Sequence, residues 1–217
     1  MKEIFDIVKH NDLFNGIILS DFEKMITCLS PIRKKFNKAE TILNTGDRVD
    51  CIYIILSGSV KVVKNTIDGK ENILTELSAS EIFGEVFSCA NILYSPVTVI
   101  SLGESEVLFL DYKKSITSCQ SICSYHSKLI LNMLKLLANK NIMLHQKIEL
   151  ISKRTTRERL LLYFDLNRGI KKKFIIPHNR ENLASYLCVD RSAMSNELSK
   201  MQKEGIIKYN KNQFEIL

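Results

Sequence analysis

An α+β fold of three successive parts is predicted by three patterns along this chain of 217 residues. From about Lys35 to Asp111, short runs rich in Ile, Val and Leu are separated by glycine turns, which is typical of β-structure. Residues 115–151 follow without a glycine or a proline, as a long helix requires. The last part alternates helical and strand-like patterns. We therefore expect a small barrel over 1–114, one helix over 115–151 and a third domain over 152–217.

The first domain is predicted to be a jelly-roll barrel. Short strands at regular spacing with glycine turns favour a sandwich or a jelly roll, although such folds are often purely structural and the spacing alone indicates no ligand. The turns contain Gly46, Gly58, Gly69 and Gly103. The expected strands are Thr41–Leu43, Cys51–Leu56, Val60–Lys64, Asn72–Leu77, Val97–Ser101 and Val107–Leu110.

The long helix has apolar residues at heptad spacing, as a parallel two-stranded coiled coil requires. Its one polar a residue, Asn141, can bond to its counterpart across the axis and fix the register. The same stripe could instead pack on the chain's own barrel, and two or three heptads do not distinguish these alternatives. The d positions are Ile130, Leu137, Leu144 and Ile151, and the a positions are Leu134, Asn141 and Ile148.

Residues 178–216 predict two helices, a tight turn between them and a β-hairpin. Asp190 is placed as the N-cap of the second helix, and Gly205 ends it. Two helices joined in this way can seat the second one in the major groove of DNA. The apolar faces consist of Leu183, Ala184 and Leu187, then Met194, Leu198 and Met201; Cys188 and Val189 form the turn, and Ile206–Tyr209 and Gln213–Ile216 form the hairpin.

Positive charge is concentrated in the same region. Residues 147–217 contain 15 Lys and Arg against 8 Asp and Glu, whereas residues 1–146 contain 16 of each. A neutral body with a basic end is typical of a protein in which one domain approaches phosphates. A charge run is usually only a solvated face, but the second helix presents short or forked donors that suit base edges. We expect DNA contacts, led by Arg191, from Asn179, Arg180, Arg191, Ser192, Ser195, Asn196, Lys208 and Lys211.

Three segments together resemble the CRP/FNR family of bacterial transcription regulators. They are the turn Leu56-Ser57-Gly58-Ser59-Val60, the segment Phe83-Gly84-Glu85 and the C-terminal DRSAMSNELSKMQKEG, and the resemblance extends over 18–216. It implies a homodimer with an N-terminal cyclic-nucleotide-binding-type barrel, a long dimerisation helix and a C-terminal winged helix-turn-helix. It also implies double-stranded DNA as a partner, with RNA polymerase as a candidate partner. Asn196 stands where many relatives have a base-reading Arg, so guanine recognition there is expected to shift towards adenine.

The resemblance further implies an effector site in the barrel, but this chain departs from the cAMP-binding pattern. In cAMP-binding members a Gly-Glu pair binds the ribose, a role that falls on Glu85, and an Arg ten residues later binds the phosphate. Ser95 and Pro96 stand there instead, so a buried anion would lack its cation and one N–H donor. We expect an effector other than cAMP, of unknown identity. The candidate pocket contains Phe83, Gly84, Glu85, Tyr94, Ser95, Leu144 and His145.

Other sensor chemistries are less well supported by the sequence. Only Cys28 precedes residue 51, so the N-terminal cysteine cluster of iron–sulfur relatives is missing. Cys119 and Cys123 have i, i+4 spacing that would permit metal binding or thiol chemistry, although buried free thiols are commoner. His126 or His145 could supply an axial ligand to haem. A haem or other small-molecule sensor whose output is not direct DNA binding is therefore the alternative function.

No enzyme motif, specific cofactor or metal-ligand cluster is predicted. Apolar runs stay well below the about 20 residues of a membrane span, and the first residues lack the apolar core of a signal peptide. Six scattered cysteines fit reduced thiols. We expect a cytoplasmic protein without a membrane partner.

Overall fold

The computed structural model describes residues 1–65, 71–116 and 124–217. The chain forms two compact units, 1–138 and 139–217. Among the described residues, no helix combines the length and the apolar character that crossing a bilayer requires.

The first unit contains the barrel. Its strands are β1 (Ile32–Phe36), β2 (Thr41–Leu43), β3 (Cys51–Ser57), β4 (Ser59–Asn65), β5 (Glu71–Ser78), β6 (Ile82–Phe83), β7 (Thr98–Ser101) and β8 (Ser105–Asp111). They form two antiparallel four-stranded sheets, in the orders β1-β8-β3-β6 and β2-β7-β4-β5. The helices are α1 (Lys2–Val8), α2 (Leu19–Leu29), α3 (Glu85–Cys89) and α4 (Tyr112–Ile116), with a 3-10 turn at Asp12–Phe14.

All six predicted strands are present, and β1 and β6 were not predicted. β1 has the sequence IRKKF and is a mostly exposed edge strand, so its charged residues hide the alternation that marks a strand. β6 has only two residues, too few for any periodicity.

Alternate residues of the central strands divide the core into two layers. In β3, Tyr53 and Ile55 face a cluster between the sheets, whereas Ile52 and Ile54 face a second cluster under the helices. β3 is therefore buried on both faces. The second cluster includes Leu129 of the long helix α5 (Ser124–Ser152). The predicted helix begins at residue 115; residues 115 and 116 belong to the short helix α4, and residues 117–123 lie outside the described residues.

The second unit contains the C-terminal end of α5 and a helix-turn-helix with a wing. The further elements are α6 (Thr156–Arg168), β9 (Lys173–Ile175), α7 (Arg180–Leu187), α8 (Arg191–Lys203), β10 (Ile207–Asn210) and β11 (Gln213–Ile216). α6 begins with a capping box in which Thr155 and Glu158 each bond to the other's backbone N–H. The strand β9, which was not predicted, pairs with the hairpin to give a sheet in the order β10-β11-β9.

Candidate nucleic-acid interface and effector pocket

The helix expected to contact DNA, α8, is fixed at its N-terminus by Asp190. The Asp190 carboxylate accepts hydrogen bonds from the Ser192 hydroxyl at 2.5 Å and from the Ala193 N–H at 2.9 Å. These donors, the Ser192 hydroxyl first, lower the pKa of Asp190. Since the cap satisfies an amide that has no partner in the helix, it defines where α8 begins. The buried side of α8 consists of Met194, Leu198 and Met201.

The opposite side of α8 is polar and open to solvent. Arg191, Ser192, Asn196 and Ser199 are exposed, and Ser195 is half-buried. The Ser195 and Ser199 hydroxyls donate to main-chain carbonyls one turn earlier, at 2.9 and 3.0 Å, and keep oxygen lone pairs that can accept. Within the part of the chain that the structure describes, the Arg191 guanidinium has no protein partner. Its donors are therefore available to a ligand.

Arg157 ties α6 to the C-terminal half of α8. Its guanidinium donates to Glu197, and both of its Nη atoms donate to the Glu204 carboxylate, at 2.7 and 2.9 Å. Arg157 lowers the pKa of Glu204, so the pair is charged at neutral pH. The sequence interpretation did not find this contact, because partners 40 or more residues apart leave no local signal.

The predicted phosphate contacts around the wing differ in how exposed they are. Lys208 and Lys211 are exposed on the hairpin. The Arg180 guanidinium instead lies over the rings of Tyr209 and Phe214, at 4.7 and 5.1 Å, and donates to the Lys211 carbonyl at 3.2 Å. Burial lowers the pKa of Arg180. These contacts hold the wing against α7, and the phosphate contact expected of Arg180 stays a prediction.

Asn179 serves as the N-cap of α7. Its side-chain oxygen accepts from the Asn182 N–H at 2.8 Å. The side-chain NH₂ group of Asn179 remains a donor, and the residue is exposed. A phosphate contact is compatible with this geometry and stays a prediction.

The long helix α5 has two apolar faces. Leu129, Met133 and Leu136 are buried in the first unit. The predicted heptad stripe lies elsewhere on the helix: Leu134, Leu144 and Ile148 are 60%, 62% and 55% exposed, Asn141 and Ile151 are exposed, and Ile130 and Leu137 are half-buried. Leu137 packs against the core of the first unit, whereas Leu134, Leu144 and Ile148 remain largely exposed, so the chain's own barrel domain covers only part of the stripe. Leu131, Ile142 and Met143 are also exposed on α5; they lie outside the heptad a and d positions and were not predicted.

Phe83 and Gly84, two residues of the expected effector pocket, pack against aromatic side chains of the barrel. The Phe83 ring stacks on Tyr53 with centroids 4.7 Å apart and planes 3° apart, and Phe109 meets Tyr53 edge-on at 4.9 Å. Gly84 has φ +81°, and a Cβ there would lie 2.6 Å from the Tyr53 ring. A glycine is therefore required for the aromatic packing itself.

Ser95 is engaged by its neighbours. It is 2% exposed; its hydroxyl donates to the Val97 carbonyl at 2.7 Å, and its N–H donates to the Asp47 carbonyl at 2.8 Å. Pro96 adds no N–H. Ser95 and Pro96 therefore have no free hydrogen-bond donor for an anion, in line with the sequence pattern, in which they replace the phosphate-binding Arg and its neighbour.

The remaining pocket candidates lie in different environments. Glu85 is 2% exposed, whereas Tyr94 is 64% exposed. Leu144 and His145 are exposed on α5, among the residues of the second unit. A small cavity of about 70 Å³ adjoins α3 and was not predicted; its lining includes Arg48, Asp50, Asn91 and Tyr112. Drug-sized ligands need about 300 Å³ or more, so this cavity suits only an ion or a few waters.

The cysteines and histidines form no metal site among the residues that the structure describes. Cys28, Cys51, Cys89 and Cys188 are free thiols, and burial raises the pKa of Cys51 and Cys89. Cys119 and Cys123 lie outside the described residues. Among the described residues, no group of three or more His, Cys, Asp or Glu could hold a metal ion. His126, one of the two haem-ligand candidates, is 2% exposed, and the other, His145, is exposed.

Comparison with known proteins matches both ends of the chain. The family described as "Cyclic nucleotide-binding domain" matches residues 33–121, and the "Crp-like helix-turn-helix domain" matches residues 158–217. The "CRP-like cAMP-activated global transcriptional regulator" of Mycobacterium tuberculosis is 33% identical over 81 residues, which cover 37% of this chain and only 35% of that protein. The chain thus matches about a third of that relative's length.

Longer matches support the same assignment. The "Cyclic AMP receptor protein" of Thermus thermophilus is 23% identical over 206 residues, covering 93% of this chain and 90% of that protein. The crystal structure of the Thermus thermophilus catabolite activator protein has the same fold, with a TM-score of 0.56 at 21% identity over 95% of this chain and 94% of the other. The Mycobacterium tuberculosis relative is named a transcriptional regulator, which agrees with the expectation that the chain is not an enzyme. The two domains in this order, joined by a long helix, show that the chain belongs to the CRP/FNR family of bacterial transcription regulators.

Proposed function

We propose that the protein is a homodimeric, sequence-specific DNA-binding transcription regulator whose barrel responds to an effector other than cAMP. The main support is the polar face of α8. Arg191, Ser192 and Asn196 are exposed there on a helix that is rigidly seated through Asp190 and three buried apolar side chains. A rigid helix with exposed hydrogen-bonding groups along one face suits the base edges of the major groove.

Phosphate contacts are assigned to groups that flank α8. Lys208 and Lys211 extend from the wing, and Asn179 stands at the start of α7. Such contacts fix the orientation of a protein on the duplex without specifying the sequence. The polar face of α8 would therefore provide sequence specificity, and the flanking groups would provide affinity that does not depend on the sequence.

The dimer is assigned to the exposed stripe of α5. Leu134, Ile148 and their neighbours remain uncovered after the barrel has packed, and a second copy offers the matching stripe. Pairing two recognition helices would place half-sites about one DNA turn, roughly 34 Å, apart. We also expect the protein to act in the cytoplasm.

The proposal is tested by operator selection from genomic DNA, followed by gel-shift titration. Arg191→Ala should lower operator affinity by about 5- to 150-fold, the range for loss of a good base contact of 1–3 kcal/mol. Lys24→Ala removes one positive charge from the first unit and serves as the control, with affinity close to wild type. Equal affinity for all sequences, or an Arg191→Ala variant equal to the control, would overturn the proposal.

A further inference from the structure

The turn between α7 and α8 contains three consecutive main-chain carbonyls that accept hydrogen bonds from side chains. At the end of α7, the Cys188 N–H donates to the Ser185 carbonyl and the Val189 N–H donates to the Ala184 carbonyl. The next three carbonyls, of residues 186–188, are beyond the reach of the helix's own amides. Two cationic side chains from other helices bond all three of them.

Lys147 of α5 donates a hydrogen bond to the first of these carbonyls. Its ammonium donates to the Tyr186 carbonyl and also lies 3.8 Å from the centroid of the Tyr186 ring. The ring is itself held in place, since it packs 5.0 Å from the ring of His178, whose Nδ1 is 2.7 Å from the Tyr163 hydroxyl. Lys147 is half-buried, so both contacts form away from bulk water.

Arg159 of α6 takes the other two carbonyls. Its Nη1 donates to the Leu187 carbonyl at 3.0 Å and to the Cys188 carbonyl at 2.9 Å. Its Nε donates to the Lys153 carbonyl, one residue after α5 ends, at 3.1 Å. Both cations therefore connect the turn to the C-terminal end of α5.

We propose that Lys147 and Arg159 form a cationic clamp that positions the recognition helix α8 on the end of α5. The clamp holds carbonyls that lie three to five residues before Arg191, where α8 begins. Any displacement of the turn would move the N-terminus of α8, and with it the contacts to DNA. The inference rests on the proposed function and names Lys147 and Arg159 as positioning residues, which act through the turn and not by touching DNA.

Lys147→Met tests the clamp, since methionine keeps an unbranched apolar stem but has no ammonium. A hydrogen bond to a charged group is usually worth enough for about a tenfold change in an equilibrium constant, and we expect operator affinity to fall by about that factor. Lys147→Arg, which restores the charge and the donors, should recover most of the loss. The matched control is Lys135→Met, which removes one exposed charge from the same helix and should bind like wild type.

Two further readouts separate positioning from other roles. The slope of log K against log salt should stay at the wild-type value in Lys147→Met, because no phosphate contact is lost; a slope shallower by about one would overturn the proposal by showing a direct contact. Circular dichroism and thermal unfolding must show a folded variant at the assay temperature. Tyr186→Leu, which keeps the carbonyl but removes the ring, should lose only part of the affinity.

Hydrogen exchange distinguishes a failed clamp from a failed function. The amides of Ala193 and Met194 at the start of α8 should exchange faster in Lys147→Met than in wild type or in the Lys135→Met control. That result would support the clamp even if no operator were found. Failure to find an operator would count against the proposed DNA binding but not against the clamp. Wild-type exchange together with wild-type operator affinity in Lys147→Met would overturn the clamp and leave the proposed function standing.

Discussion

Titration with cAMP provides the sharpest check on how the barrel works. The resemblance implies that in cAMP-binding relatives an Arg at this position binds the cyclic phosphate through charge-assisted hydrogen bonds. Here the Ser95 hydroxyl donates to the Val97 carbonyl, and the Ser95 N–H donates to the Asp47 carbonyl. Pro96 has no N–H to offer. Both donors of Ser95 are therefore already bonded within the protein, and Pro96 has none.

The expected loss of affinity follows from these contacts. Replacing a charge-assisted contact worth about 1.5–3 kcal/mol by nothing weakens binding by about 10- to 150-fold, before the cost of burying an unpaired anion. cAMP and cGMP should thus bind at least tenfold more weakly than cAMP binds to the Thermus thermophilus cyclic AMP receptor protein.

Isothermal titration calorimetry on both proteins, in the same buffer, measures this difference directly. The Thermus protein serves as the positive control, and gel shifts with and without nucleotide show whether binding is coupled to DNA. Micromolar affinity of this chain for either nucleotide, together with tighter operator binding, would refute the reasoning. It would mean that another cation reaches the phosphate.

Three further predictions concern the dimer, the pH dependence and the helix cap. Asn141→Leu should keep or raise dimer stability while loosening the register or the oligomer number, as sedimentation would show; a wild-type protein that is monomeric at micromolar concentration rules out the stripe as a dimer contact. Burial lowers the pKa of both His126 and His178, so the unfolded chain binds protons at higher pH than the folded chain. Stability should therefore be complete above about pH 6.5 and fall below it, by at most about 1.4 kcal/mol per pH unit for each histidine, and urea unfolding of His178→Gln should show a shallower dependence than wild type between pH 7 and 5.5. Asp190→Ala should lower the free energy of unfolding by about 1 kcal/mol through loss of the N-cap, and a thermal midpoint unchanged from wild type would contradict this.

Local patterns predicted much of the architecture. The strand Thr41–Leu43 has the predicted limits, and the N-cap role of Asp190 was read directly from the alternation of polar and apolar residues. β1 was missed because an edge strand tolerates charge on both faces, and β9 because three residues are too few to show a period.

The site is harder to predict from the sequence than the fold, because burial and long-range contacts decide which side chains are free to bind a ligand. The sequence predicts a phosphate contact for Arg180, and the structure shows its guanidinium packed over two aromatic rings of the wing. Phe83 was placed in a ligand pocket, yet its partner is Tyr53 of the same barrel. A single sequence shows which side chains have suitable chemistry, but not which of them other parts of the chain have already engaged.

The same distinction applies to the basic end of the molecule. Charge counting treats all cations of residues 147–217 alike, but Lys147, Arg157 and Arg159 donate to protein groups around the helix-turn-helix. These three build the recognition surface, whereas Arg191 and the exposed lysines of the wing are free to replace counterions on DNA. Only the second set should contribute to the salt dependence of binding. Net charge therefore indicates which end approaches DNA, and the geometry of the individual cations determines how strongly it binds and in which orientation.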